Sequence, residues 1–190
     1  MLLSRFLDER TFVEQLNVQV KPNSDAEYLH KLCEALINSV PDGGNTPQRI
    51  VGYLLESYHE ELQTGLIVSG HTDQASTTST TSKKLGDITE SQIGGLVVSA
   101  YEVTVKSFGV QRVREAYEAA HAYLGRLEYQ DITFHFVDIY EWIMAQLLRM
   151  TADARANFFT KLQIYIADKN TSARVKTAWA TLNEMDILNQ

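Results

Sequence analysis

The chain carries a single cysteine, Cys33, among 190 residues. One thiol excludes an internal disulfide framework and a cysteine-rich zinc site, and it fits a reducing compartment. Long apolar runs are also missing. Met1, Leu2 and Leu3 make an apolar start, but Arg5, Asp8, Glu9 and Arg10 interrupt it. No signal peptide or membrane span is expected, and the reading is a soluble, cytoplasmic protein. There is no Gly-rich phosphate loop, no nucleotide fingerprint, no Ser-His-Asp grouping and no internal repeat. An excess of positive charge is lacking too: the net charge is −7. That counts against a free-standing nucleic-acid binder, whose affinity comes largely from neutralising phosphates. Between Lys83 and Glu115, however, five basic residues (Lys83, Lys84, Lys106, Arg112, Arg114) stand against four acidic ones (Asp87, Glu90, Glu102, Glu115), a local +1.

What remains is a chain with 44% hydrophobic residues, enough for a sizeable core in one domain. Residues 24–40 have helical spacing, with Ser24 or Asp25 as cap and a Pro-Asp-Gly-Gly stop. A second helix is expected from Pro47 to about Leu62, with Thr46 as its cap. The polar stretch 71–84 reads as a loop, whose alternative role is to bring hydroxyls, Lys83 and Lys84 to phosphates. His71 and Asp73 in it read as loop residues rather than as a metal site. The short apolar run Gly65-Leu66-Ile67-Val68 precedes that loop, and further strands are expected at Leu85–Thr89 and Leu96–Phe108. In the second, Tyr101, Val103 and Val105 alternate with Glu102, Thr104 and Lys106.

A helix over 110–125 follows, with Val110, Val113, Tyr117, Ala120 and Leu124 as its apolar stripe. A buried strand over Asp131–Ile139 comes next, then helices near 140–150, 153–167 and 172–185. His135 and the aromatics Trp142, Phe158, Phe159, Tyr165 and Trp179 read as core. The order helix, strand, strand, strand, helix, strand implies an α/β fold. Its mixed central sheet, flanked by helices, has antiparallel early strands and a parallel last pair. The expectation is a single domain over 1–190, with a core at 47–139 and a helical extension at 140–190.

Asp87 and Glu102, fifteen positions apart, leave room for a strand, a Gly-Gly turn and a return strand. Glu102, Thr104 and Lys106 would then share one strand face beside Asp87. Two carboxylates with a nearby cation suit phosphodiester hydrolysis. Mg²⁺ takes hard oxygen ligands, and a lysine can orient water and offset charge on phosphate.

Gly86-Asp87-Ile88 followed by Tyr101-Glu102-Val103-Thr104-Val105-Lys106 resembles the PD-(D/E)XK nuclease superfamily, the fold of most type II restriction endonucleases. The element order is similar to that family's α-β-β-β-α-β core. The resemblance implies a Mg²⁺- or Mn²⁺-dependent endonuclease of a restriction system, acting on double-stranded DNA. It implies Asp87 and Glu102 as metal ligands, and Glu56 on the preceding helix as a third through water. The family's lysine position holds Thr104 here, so Thr104 or Lys106 would orient the water. Gln111 and Glu115 match the Gln and Glu on the next helix of similar type IIS-like cleavage domains, with Gln111 assisting. Lys83, Lys84, Arg112 and Arg114 would contact phosphate. A homodimer or a partner nuclease subunit is expected, with the 140–190 helices as interface. The rival readings are a non-catalytic interaction domain, such as an inactive relative, and a nuclease acting on branched DNA or RNA.

Overall fold

The computed structural model describes residues 23–39, 42, 44–73, 85–106, 109–124 and 131–184. The chain order in these residues is α1 (Ala26–Ser39), α2 (Asn45–Leu62), β1 (Leu66–Ser69), β2 (Ile88–Gln92) and β3 (Val97–Thr104). It continues with α3 (Val110–Leu124), β4 (Thr133–Asp138), α4 (Ile139–Arg149), α5 (Ala152–Ala167) and α6 (Ala173–Glu184). The four strands form one sheet in the order β1-β2-β3-β4. Both β1–β2 and β2–β3 are antiparallel, and β3–β4 is parallel with Tyr101 opposite His135. A mixed sheet flanked by helices is therefore what the alternation and the connection lengths produce. Among the described residues no helix is long and apolar enough to cross a membrane.

The helix starts show how local chemistry sets boundaries. Asp25 caps α1 by accepting the Tyr28 N–H at 2.8 Å. At α2 the expected Thr46 cap is corrected, because Gly44 takes the cap position with φ of 100° and Thr46 lies inside the helix. Asp42 supplies the acceptor instead: its Oδ2 takes the Thr46 N–H at 2.9 Å and the Thr46 hydroxyl at 2.6 Å. A carboxylate at a helix N-terminus also meets the positive end of the helix dipole.

The core lies mainly on one face of the sheet. Val68, Ile88, Tyr101, Val103 and Val137 pack there against buried residues of α1, α2, α4, α5 and α6. The aromatics expected in the core are there: Phe158, Phe159 and Trp179 are fully buried, Tyr165 nearly so, and Trp142 packs against them in part. The helices after residue 140 thus spend their apolar faces inward. Leu148 and Ile164 are the large apolar residues they leave exposed among the described ones. On the opposite face a smaller cluster of Leu85, Val97 and Ala100 meets Ala120, Ile132 and Phe134.

Helix α3 covers that opposite face, and its orientation corrects the expected stripe. Val110, Val113 and Tyr117 are 78%, 39% and 68% exposed, while Ala116 is buried. The inward row is Arg112, Ala116 and Ala120, spaced by four. Ala116 is buried and Ala120 packs against the smaller cluster, and Arg112 turns toward carboxylates there.

A close approach fixes the other side of the sheet. Gly52, inside α2, lies so near His71 that an added Cβ would overlap the His71 Cβ and Cγ. Gly→Ala in a helix interior ordinarily stabilises by about 1 kcal/mol. Here overpacking should reverse the sign, and Gly52→Ala is expected to lose about 1–3 kcal/mol in a urea titration. A stabilised variant would show that His71 does not sit against this helix.

Candidate functional site

The site is built where β2 begins beside β3. Ile88 pairs with Tyr101, so the next antiparallel step sets Asp87 across from Glu102. Gly86 makes this approach possible, since a Cβ there would come within 2.9 Å of the Tyr101 carbonyl oxygen. Asp87 donates its N–H to that same oxygen at 2.9 Å, and its Oδ2 accepts the Val103 N–H at 2.8 Å. From the other side Gln48, buried in the first turn of α2, donates to the carbonyls of Gly70 (2.7 Å) and Asp87 (3.3 Å). The Asp87 backbone is thus held from two elements, and its carboxylate is fixed by a third group.

Glu102 is part-buried on the same face, and its side chain shares a hydrogen bond with the Asp87 carboxyl. Burial, then the neighbouring Asp87 charge, push the Glu102 carboxyl up to about 7, against the pull of the Arg112 guanidinium. The cause is general: two carboxylates in one place cannot both ionise freely.

The cation of this cluster is Arg112. Its Nη2 lies 4.0 Å from Asp87 Oδ2 and donates to the Val103 carbonyl at 3.3 Å, while Nη1 donates to Thr104 Oγ1 at 3.3 Å. Lys106 does not share the strand face, because β3 ends at Thr104. The Lys106 N–H turns back to Thr104 Oγ1 at 3.1 Å, and its residue is exposed. The expected common strand face of Glu102, Thr104 and Lys106 therefore ends at Thr104. Thr104 is buried and serves as acceptor for both.

The remaining sequence-derived residues lie elsewhere. Gln111 donates to Glu115 at 2.8 Å on the exposed side of α3, pointing away from the Arg112 row. Arg114 is exposed. Lys83 and Lys84 lie outside the described residues. Glu56 belongs to a separate cluster, with His71 Nε2 and Lys161 Nζ each 3.2 Å from its carboxylate. Burial alone would raise the Glu56 carboxyl, but His71 and then Lys161 hold it below the usual carboxylate range. The resemblance implies that Glu56 reaches the metal through water, and its carboxylate is engaged by His71 and Lys161. Among the described residues no group of three or more His, Cys, Asp and Glu gathers as a metal cage.

Two features escaped the sequence reading. His71 lies in the turn after β1, as expected, but is buried there and packs edge-on against Tyr53. On the core face, His59 Nε2 lies 2.6 Å from Glu90 Oε1, and the Thr64 hydroxyl lies 2.8 Å from His59 Nδ1. Burial would raise Glu90, yet hydrogen bonds from His59, Ser99 and Tyr101 bring it below its ordinary value. This group ties the end of α2 to β2. His135 is part-buried and stacks on Tyr101 at 4.5 Å. Gln48 had one signal in the sequence, its spacing of four from Gly52 on the sheet-facing side of α2.

The Asp87–Glu102 pair offers hard oxygen donors that a divalent cation can share with water and substrate. No protein-family model matches this chain, and no curated protein and no solved structure matches it.

Proposed function

We propose that this protein is a metal-dependent DNA endonuclease of the restriction type. The observation that carries the reading is the meeting of Asp87 and Glu102 on one sheet face, with the Glu102 carboxyl raised to about 7. Two carboxylates held side by side supply hard oxygen donors, and a divalent cation is commonly held by one or two of them. A metal held there would polarise the scissile phosphate and lower the pKa of a bound water.

The chain's own residues do the rest. Asp87, fixed by Val103 and by the backbone bonds of Gln48, presents an oxygen that cannot swing away. Glu102 holds a proton or releases it near neutrality, which suits a group that must accept one from water. Arg112 offsets charge that develops on the phosphate, and Thr104 keeps its guanidinium in place. Lys106 and Arg114, both exposed near this end of α3, would contact the DNA backbone.

The test is conversion of supercoiled plasmid to nicked or linear forms, in Mg²⁺ and in EDTA, by wild type and Asp87→Ala. Cleavage is expected only from wild type with metal. A wild type inert on plasmid, branched DNA and RNA in Mg²⁺ and Mn²⁺ would leave an interaction domain as the better reading.

A further inference from the structure

We infer that Thr64 is a nucleophilic hydroxyl, with His59 as its base and Glu90 positioning the imidazole, and that it takes acyl groups from small carboxylic esters. The inference is independent of the metal-dependent reading, because no member of the Asp87–Glu102 cluster takes part in it. The sequence has no Ser-His-Asp grouping, yet the fold lines up a hydroxyl, an imidazole and a carboxylate. Thr64 Oγ1 lies 2.8 Å from His59 Nδ1, and His59 Nε2 lies 2.6 Å from Glu90 Oε1. Both distances fall within the reach of about 2.6–3.2 Å that marks a nucleophile, its base and the group that orients the base. Such a line is recognised by geometry and roles rather than by chain order.

The end of α2 builds it. Gln63 caps that helix with φ of 50°, the one positive φ outside glycine among the described residues. The left-handed turn folds the chain back, so that the Thr64 N–H donates to the His59 carbonyl at 3.2 Å. The hydroxyl thereby comes to lie beside the imidazole. His59 and Glu90 are buried, whereas Thr64 and Gly65 are exposed. A Cβ added to Gly65 would meet nothing within 4 Å, so the approach to the hydroxyl is open. The base is shielded and the reacting end is accessible.

The hydrogen bonds also set the protons. Glu90 accepts from Ser99 and Tyr101 as well as from His59, which holds it ionised. A carboxylate only accepts, so in the neutral imidazole Nε2 carries the proton and the Nδ1 lone pair faces Thr64. The Leu66 N–H donates to Thr64 Oγ1 at 3.3 Å. That leaves the hydroxyl proton for Nδ1 and one oxygen lone pair for attack. Thr64 Oγ1 then bonds to the ester carbonyl carbon as its proton passes to Nδ1. The carbon–oxygen bond to the leaving alcohol breaks, and the alcohol takes that proton. A water activated by the same nitrogen releases the carboxylic acid and restores the hydroxyl.

The test uses p-nitrophenyl acetate with the full chain, followed by peptide mapping. An acetyl group is expected on Thr64, and Thr64→Val should lose it while nicking plasmid like wild type. Thr64→Ser, less hindered at its carbon, should acylate faster. His59→Gln should slow acylation of Thr64 about 10²-fold, the lower range for a positioned base. Glu90→Gln can donate its amide N–H to Nε2 and so favour the opposite tautomer. Nitrogen-15 spectra should then show the ring proton move from Nε2 to Nδ1, with acylation falling in step. Thr64 is exposed, so its two variants decide the matter even if the buried ones unfold. Acetyl groups confined to lysines would overturn the inference. So would a Thr64 adduct that forms as fast in a folded His59→Gln, which would leave the contact as a helix cap.

Discussion

Asp87→Ala should lower the single-turnover rate of plasmid nicking at least about 10³-fold, Arg112→Ala about 10²–10³-fold, and Lys106→Ala less than about threefold. The first figure follows from the several kcal/mol that a Lewis-acid metal supplies, at 1.36 kcal/mol per tenfold. The second is the usual loss on deleting one preorganised donor to a developing oxyanion. The third follows from position, since Lys106 is exposed beyond the end of β3 and, on the proposed reading, would serve phosphate only from outside. Arg112 also braces Val103 and Thr104, so its loss has a structural component. Arg112→Lys separates the two roles: the charge stays, the forked hydrogen bonding goes, and an intermediate rate is expected. Each variant should keep a cooperative melt. If Lys106→Ala falls as far as Arg112→Ala, the cation role returns to the lysine.

That ordering differs from what the sequence alone would rank, and the reason is instructive. Period-two alternation places Glu102 and Thr104 on one face, and a Gly-Gly turn between two strands implies an antiparallel return. The juxtaposition of Asp87 and Glu102 was therefore legible. The alternation in the sequence runs on past Thr104, but the strand does not, because Thr104 Oγ1 captures the Lys106 N–H and bends the chain. Local side-chain capture of a backbone N–H competes with the ladder, and nothing in the spacing records which wins.

The rotation of α3 was hidden for a related reason. Hydrophobic period selects the apolar face as the buried one, whereas here Arg112 has carboxylates to meet across two small alanines. The observed rotation pairs Arg112 with Val103 and Thr104 and buries Ala116, which the apolar period does not encode. The pairing of His71 with Glu56 was equally invisible, since it joins a residue after β1 to the middle of α2, with Lys161 of α5 as the third member. Contacts of that range leave no mark on local pattern. Strand and helix order, by contrast, depends on local periodicity and connection length, and it was readable to within a few residues at each boundary.

The second large effect concerns stability, and its sign follows from Glu102. Its carboxyl is raised from an ordinary 4.5 to about 7 in the folded protein, chiefly by burial and then by Asp87. A raised carboxyl means that the fold favours the protonated form. The stability this contributes is complete below about pH 4.5 and is lost as the pH climbs through about 7. The metal-free protein should therefore weaken by as much as about 3 kcal/mol across that window, at 1.36 kcal/mol per pH unit. Glu102→Gln keeps the shape and removes the charge, so its profile should be flat there. At pH 8 it should melt about 5–10 °C above metal-free wild type, at the 2–4 °C per kcal/mol usual for a domain of this size. Asp87→Asn should gain less, because the Asp87 carboxylate also accepts the Val103 N–H. On the proposed reading a divalent ion would bind the folded pair and compete with the proton. Millimolar Mg²⁺ or Mn²⁺ should thus raise the wild-type melting temperature more at pH 8 than at pH 6, the binding adding about 2.7 kcal/mol of stability at a hundredfold excess over Kd. Glu102→Gln should lose most of that increment. If the variant is no more stable than wild type at pH 8, the carboxylates do not repel and the pair is not a site. If metal leaves wild type unmoved even with DNA present, the fold stands and the catalytic reading falls.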